Sequence, residues 1–311
     1  MKMKKINMLS FLFFLIAGIT VPAHATNKYR ILATTFPIYQ ITRNIVKDSQ
    51  NTQTELMLPT QLGCPHDYAL TPQDMKKLAN ADILVINGLG MEEFVGAPIK
   101  KANAKITLID SSAGIKEIIE NKGCEHEHNG EQKHCCCGKG VNPHLFASPR
   151  MAAKLARNIA EGLGKANPKE KDLYRKNALA YAQKLNRLAD EMLALTKRLK
   201  NNKIVQPHGA FDYLARDAKL EIVATMLAHG QQPSAAGLRF LVKTIKNSQA
   251  GAIFTEPQYP SKVGSTLSKE TGLPVAVLDP VATGTEDAPL DYYETVMRHN
   301  MKTLEQALKL K

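Results

Sequence analysis

Apolar residues recur along one stretch of the chain at steps that alternate between four and three: Tyr174, Ala178, Tyr181, Leu185, Leu188, Met192, Leu195 and Leu199. Lys, Arg, Asn, Gln and Glu fill the positions between them, so the spacing predicts one long amphipathic helix. Its start is marked by Asn167, Pro168 and Glu170, which have the order of a cap, a first-turn proline and a capping box. Asn201 and Asn202 break the pattern. A helix over 167–201 would be roughly 50 Å long at 1.5 Å per residue, enough to run the length of a two-lobed molecule. Four heptads of such a stripe also suit a coiled coil, and the periodicity alone does not separate the two.

The flanking segments favour a spine between two similar halves. Before it, apolar strand patterns at 29–35, 53–58, 82–87 and 106–109 alternate with helical patterns at 38–47, 75–79 and 91–101, the second capped by Thr71-Pro72-Gln73-Asp74. After it, strands at 203–206, 221–224, 252–255 and 275–278 alternate with helices at 210–217, 234–247, 261–270 and 290–308. Such alternation indicates parallel sheets covered on both faces. The expected fold is α/β: two parallel-sheet lobes, 26–166 and 202–311, joined by the spine helix 167–201, with a cleft between them. Ligands of such sheets sit beyond the carboxyl ends of the strands.

Residues 1–25 read as a leader rather than as fold. Lys2, Lys4 and Lys5 precede an apolar run over 8–21, and Ala23-His24-Ala25 has the small-x-small form of a signal-peptidase site. That run is shorter than the ~20 residues of a membrane-spanning helix. With no Cys after it to accept a lipid, the expectation is a soluble monomer released into a periplasm without a membrane anchor. Losing the three leader lysines leaves 38 basic and 29 acidic residues, so the net charge falls from +12 to +9. The lysines are scattered over helix faces without interleaved aromatics, which argues for solvation and against nucleic acid. All five Cys lie at 64, 124, 135, 136 and 137, an odd count that leaves at least one thiol over in an oxidising space.

Four side chains stand at strand ends or just beyond them. His66 follows the second strand, His144 comes after the first lobe's strands, His208 follows the first strand of the second lobe, and Asp279 ends its fourth. Two belong to each lobe. A lone loop His is usually a surface or hydrogen-bonded residue, but three imidazoles and one carboxylate together suit the tetrahedral nitrogen and oxygen ligation of zinc.

These residues lie in motifs through which the whole mature chain resembles the zinc- and manganese-binding proteins of bacterial ABC metal-uptake transporters. The motifs are Pro65-His66-Asp67-Tyr68, Asn142-Pro143-His144-Leu145 with Ser148-Pro149, Pro207-His208-Gly209-Ala210-Phe211-Asp212-Tyr213-Leu214, Phe254-Thr255-Glu256-Pro257-Gln258 and Leu278-Asp279-Pro280. The resemblance implies metal ligation by His66, His144, His208 and Asp279, with Zn(II) as transported ligand and a membrane permease as partner. His at 208, where manganese members often have Glu, points to zinc. Asn142 and Phe146 depart from the Asp and Trp usual beside the second ligand, a change that bears on its outer hydrogen bonds. The second lobe lacks the disulfide frequent in zinc-type members, since no Cys follows position 137.

Cys124, His126, His128, His134, Cys135, Cys136 and Cys137 crowd into the stretch 123–140. Its polar, Gly-rich composition offers nothing to a core. Thiolates and imidazoles at this density suit Zn(II) or Cu(I). The resemblance places a metal-gathering His-rich loop here, although Cys is atypical of it. The plainer reading is a disordered insertion with Cys124 bonded to one of Cys135, Cys136 or Cys137, because adjacent cysteines do not readily bond to each other. Glu256 and Asp67 are candidate supporting residues, with helix capping or exposure the bland alternative. Cys64 reads as a small buried thiol, and His229 and His299 as ordinary residues.

The favoured function is capture and delivery of Zn(II). A zinc hydrolase with Glu256 as base is the rival from another class, and it would need an open coordination position. A metal-buffering surface adhesin would share the site and differ in partners.

Overall fold

The structure is a computed structural model that describes residues 28–310 apart from 64, 66, 67, 95, 122–139, 228–232 and 259–261. The expectations for the leader, for Cys64, His66, Asp67 and His229, and for Cys124, His126, His128, His134, Cys135, Cys136 and Cys137 therefore lie outside the described residues.

In the first lobe β1 (Tyr29–Ala33), β2 (Thr52–Leu56), β3 (Ile83–Ile86) and β4 (Thr107–Asp110) form a parallel sheet in the order β2-β1-β3-β4. The helices between them are α1 (Phe36–Val46), α2 (Pro72–Asn80) and α3 (Ala97–Ala102). α2 opens on the capping box read in the sequence: Asp74 N donates to Thr71 Oγ1 and Thr71 N to Asp74 Oδ2. α3 is shorter than its apolar pattern suggested. Met91 and Phe94 are buried from a turn rather than a helix, and Glu92 folds inward between them.

A two-stranded antiparallel stem follows, β5 (Glu120–Asn121) with β6 (Gly140–Val141). Then come a 3-10 turn, Leu145–Ala147, and α4 (Pro149–Ala166), a helix absent from the sequence expectation. α4 starts on Ser148, whose hydroxyl accepts from Met151 N, and buries Met151, Leu155, Ile159 and Leu163 along one side. Spaced four apart, they are a helical face.

The spine is entered through a 3-10 turn at Pro168–Glu170 and runs as α5 (Lys171–Thr196). At 1.5 Å per residue it is about 39 Å long, shorter than the expected span. Asn167 does not cap it. That side chain is buried and donates to Tyr174 Oη at 3.1 Å, while its backbone closes α4. The apolar stripe of α5 packs against α4 and α1 of the same chain, so it needs no coiled-coil partner.

The second lobe holds β7 (Lys203–Gln206), α6 (Asp212–Ala218), β8 (Glu221–Thr225), α7 (Ala235–Ser248), β9 (Ala252–Thr255), α8 (Lys262–Thr271), β10 (Val275–Val277) and α9 (Tyr292–Leu308). Its sheet order, β10-β9-β7-β8, repeats that of the first lobe strand for strand. In both, the chain winds outward in two directions from the gap between the first and third strands, and that gap is where such sheets hold ligands.

One continuous core joins the lobes. It runs from Ile31, Val85 and Ile109 through Leu155, Tyr181 and Leu185 to Phe254, Tyr293 and Leu304. Smaller clusters lie on the far face of each sheet, around Leu32, Leu78 and Leu84 in one and Val205, Ile253 and Leu267 in the other. The segment before α9 straps the second lobe to α1. Arg43 Nη1 donates to Ala288 O at 2.6 Å, Asn44 Nδ2 to Leu290 O at 2.8 Å, and the Phe36 ring sits so close to Gly284 that a side chain there would collide with it.

Candidate metal centre

β7 delivers its carboxyl end to His208, and β9 delivers its end to Glu256. Because these strands are neighbours in the sheet, the two side chains meet at the gap where the strand order reverses. His208 Nδ1 lies 2.6 Å from Glu256 Oε1, at ion-pair distance but without the alignment of a hydrogen bond. The other carboxylate oxygen accepts from Gln258 Nε2 at 2.6 Å. Glu256 is 2 % exposed, so its carboxyl group faces these neighbours rather than water. Facing a carboxylate, a neutral His208 carries its proton on Nδ1 and presents the lone pair of Nε2 elsewhere.

His144 arrives from the turn after β6. Its backbone N donates to Asn142 Oδ1 at 2.9 Å, and its Nδ1 lies 2.8 Å from the same oxygen. Asn142 Nδ2 donates to Gly209 O and to Asp212 Oδ2, which fixes which end of the amide is oxygen. An oxygen there requires a proton on His144 Nδ1, which puts the lone pair of a neutral imidazole on Nε2. The His144 turn is held from the first lobe: Asn87 Nδ2 donates to Pro143 O at 2.9 Å. Phe146 stands edge-on to His144, its ring centre 6.0 Å away, and is buried.

The two imidazole centres are 5.1 Å apart with planes inclined at 77°. Imidazoles bound to one tetrahedral zinc through bonds of ~2.0–2.1 Å have ring centres about 5 Å apart.

Asp279 follows β10 and has both main-chain groups held by one amide. Its N donates to Asn300 Oδ1 at 3.0 Å and its O accepts from Asn300 Nδ2 at 2.7 Å. Oδ1 accepts from Val281 N at 2.7 Å. Burial pushes the Asp279 carboxyl up to about 6; the Val281 amide opposes this, the charge of Glu256 adds to it, and His299 pulls the other way. Burial likewise raises Asp212, against hydrogen bonds from Gln206 and Asn142 and the influence of His208.

His144, His208 and Glu256 are thus brought together, and Asp279 stands within electrostatic reach of Glu256. Among the described residues no three His, Cys, Asp or Glu side chains are already gathered as a metal shell. Of the two readings open for Glu256, a supporting residue or a cap or exposed side chain, exposure does not hold: it is buried against an imidazole. Asn300 was not singled out, and nothing in its sequence context marks it.

The family described as ZnuA, zinc-uptake complex component A, periplasmic, matches residues 31–307. The chain belongs to the ZnuA family. Its expected α/β architecture and its zinc-type resemblance stand with that match. Among curated relatives it is 31 % identical over 292 residues to the zinc-binding protein AdcA of Streptococcus pyogenes, covering 90 % of this chain and 56 % of AdcA. It is 31 % identical over 290 residues to the high-affinity zinc uptake system protein ZnuA of Bacillus subtilis, covering 92 % and 89 %. The chain thus spans little more than half the length of the AdcA relatives it matches. Among solved structures it superposes with a TM-score of 0.76 on FpvC of Pseudomonas aeruginosa in complex with Ni2+, at 28 % identity, over 91 % of this chain and 97 % of that one. ZnuA proteins are solute-binding proteins by family, not a class of enzymes, and the family is periplasmic. No helix among the described residues is long and apolar enough to cross a membrane.

Proposed function

We propose that this protein captures Zn(II) outside the cytoplasm and delivers it to the membrane permease of an ABC transporter. The cleft ligands are His66, His144 and Asp279 with His208, two from each lobe. The observation that carries this reading is the pair His144 and His208: two imidazoles at the separation one tetrahedral ion requires, with Nδ1 of His144 2.8 Å from Asn142 Oδ1 and Nδ1 of His208 2.6 Å from Glu256 Oε1. Glu256 and Asn142 orient the imidazoles, and Asn300 holds the backbone of Asp279. Three nitrogen ligands favour Zn(II) over Mn(II) by ligand type and by the general affinity order. The protein acts as a binding protein without catalytic turnover, because four protein ligands leave no open position for an activated water. The names of the relatives from Streptococcus pyogenes and Bacillus subtilis support zinc as the cargo.

The Cys- and His-rich stretch 123–140 is an auxiliary site that gathers metal without forming part of the cleft. Its composition supports this.

Competition titration with a chromophoric chelator tests the main claim. Wild type should take one tight equivalent of Zn(II) in preference to equimolar Mn(II), and His208→Ala should lose it. Retention of Mn(II) against equimolar Zn(II), or an unaffected His208→Ala, would contradict it.

A further inference from the structure

One amide touches both of the turns that carry imidazoles. Asn142 Oδ1 takes the backbone N–H of His144 at 2.9 Å and faces its Nδ1 at 2.8 Å. Asn142 Nδ2 donates to Gly209 O, next to His208, at 2.7 Å and to Asp212 Oδ2 at 2.8 Å. Asp212 is anchored in turn by Gln206 Nε2 at 2.7 Å, from the last residue of β7. The Asn142 carbonyl accepts from Tyr213 Oη at 2.7 Å. With four partners the amide has one orientation: turned over, its NH2 would face the His144 N–H and its oxygen would face two acceptors. Asn142 is 1 % exposed, so water does not stand in for any of these bonds.

We propose that Asn142 is a positioning residue that couples the His144 and His208 turns across the two lobes, and that Asp212 is what requires an amide there rather than a carboxylate. The proposal rests on the reading of both imidazoles as zinc ligands. The oxygen end of Asn142 sets the tautomer of His144. The nitrogen end pins the Gly209 carbonyl and so the turn that presents His208. A carboxylate at 142 keeps the first action and loses the second, because a negative oxygen then faces both Gly209 O and the Asp212 carboxylate in a site with little water. Exchanging the pair, Asn142→Asp with Asp212→Asn, restores a donor between the two side chains and removes the clash of two carboxylates, while Gly209 O stays without its donor. The ligands themselves are untouched in every variant.

The test is a double-mutant cycle read by Zn(II) competition titration, with His208→Ala as a separate control and nitrogen-15 shifts of the histidine rings as a second readout. Asn142→Asp should bind Zn(II) about 10- to 100-fold more weakly, the usual effect of losing an outer partner of a metal ligand. Asp212→Asn alone should stay within a few-fold of wild type, and the exchanged pair should regain the part of the loss that comes from the facing carboxylates. Metal-free wild type should show His144 with its proton on Nδ1. Asn142→Asp should keep that tautomer while losing affinity, which separates the cross-lobe action from the tautomer. The proposal is overturned if Asn142→Asp binds as tightly as wild type, if the exchanged pair is no better than Asn142→Asp, or if wild-type His144 is protonated on Nε2; the last needs no variant to fold. If His208→Ala binds like wild type, the zinc reading itself fails. If His208→Ala loses zinc while the cycle is additive, only the coupling fails.

Discussion

His208 Nδ1 lies 2.6 Å from Glu256 Oε1, and the two residues close the ends of adjacent strands at the reversal point of the second sheet. The carboxylate selects the tautomer of His208 and strengthens the imidazole as a donor to a cation. Truncating it with Glu256→Ala should weaken Zn(II) binding by about 10- to 100-fold without changing the stoichiometry. Glu256→Gln, whose amide oxygen can still face Nδ1, should lose less. Chelator competition on the three proteins checks the order; equal binding by all three would remove Glu256 from the account.

The first sheet has its own buried acid at the equivalent gap. Glu92 Oε1 accepts from Thr34 Oγ1 and Asn87 N, and Oε2 accepts from Gly88 N. Burial raises its carboxyl to about 7 from an ordinary 4.5, against these hydrogen bonds. The folded state therefore holds a proton that the unfolded state releases. The associated stability is fully present below about 4.5 and is lost as pH rises through about 7, on the order of 3 kcal/mol over the window. Glu92→Gln should flatten this slope, seen as a smaller fall in the metal-free Tm between pH 5 and pH 8. An unchanged slope would assign the pH dependence elsewhere.

Leu185 is fully buried in α5, in the core shared by the lobes. Leu185→Ala should destabilise the protein by about 2–5 kcal/mol through lost burial and the cavity left behind. Because the core is continuous, calorimetry should show one unfolding transition, shifted as a whole. Two separated transitions would mean that the lobes unfold independently.

Much of this architecture was legible in the chain. The apolar runs of β7 and β9 and the Thr71–Asp74 capping box matched their elements closely, since each rests on local chemistry. The failures came where burial overrode local signals. Asn167 has the form of a cap but is drawn inward to Tyr174, and the pattern near Met91 is a buried turn that serves Glu92. α4 was overlooked although Met151, Leu155, Ile159 and Leu163 are helically spaced after a Ser148-Pro149 start. Of the candidate ligands, His208 and Asp279 were marked in the sequence by their place at or just after strand ends, and His144 by its motif after the first lobe's strands. The roles of Glu256 and Asn300 depend on strand order and on the placement of α9, which no local pattern encodes.

The stem at Asn121 and Gly140 pairs antiparallel, so a two-residue turn can join it in place of residues 122–139. That deletion should leave the Tm and the tight zinc event unchanged, and it should remove only weaker binding, measured by calorimetry on reduced and oxidised samples. Loss of the tight event would make the loop part of the main site. An unchanged total stoichiometry would leave it with no metal-binding role.

The central claim is a single Zn(II) held by three imidazoles and a carboxylate across the cleft. X-ray absorption at the zinc edge, on the full chain loaded with one equivalent, reads that shell directly. Nitrogen and oxygen scatterers at about 2.0–2.1 Å and the outer-shell signature of three imidazoles are expected, a shell that His208→Ala does not reproduce. A sulfur scatterer near 2.3 Å, which would place the ion on the cysteines, or a spectrum indifferent to His208→Ala, would contradict it.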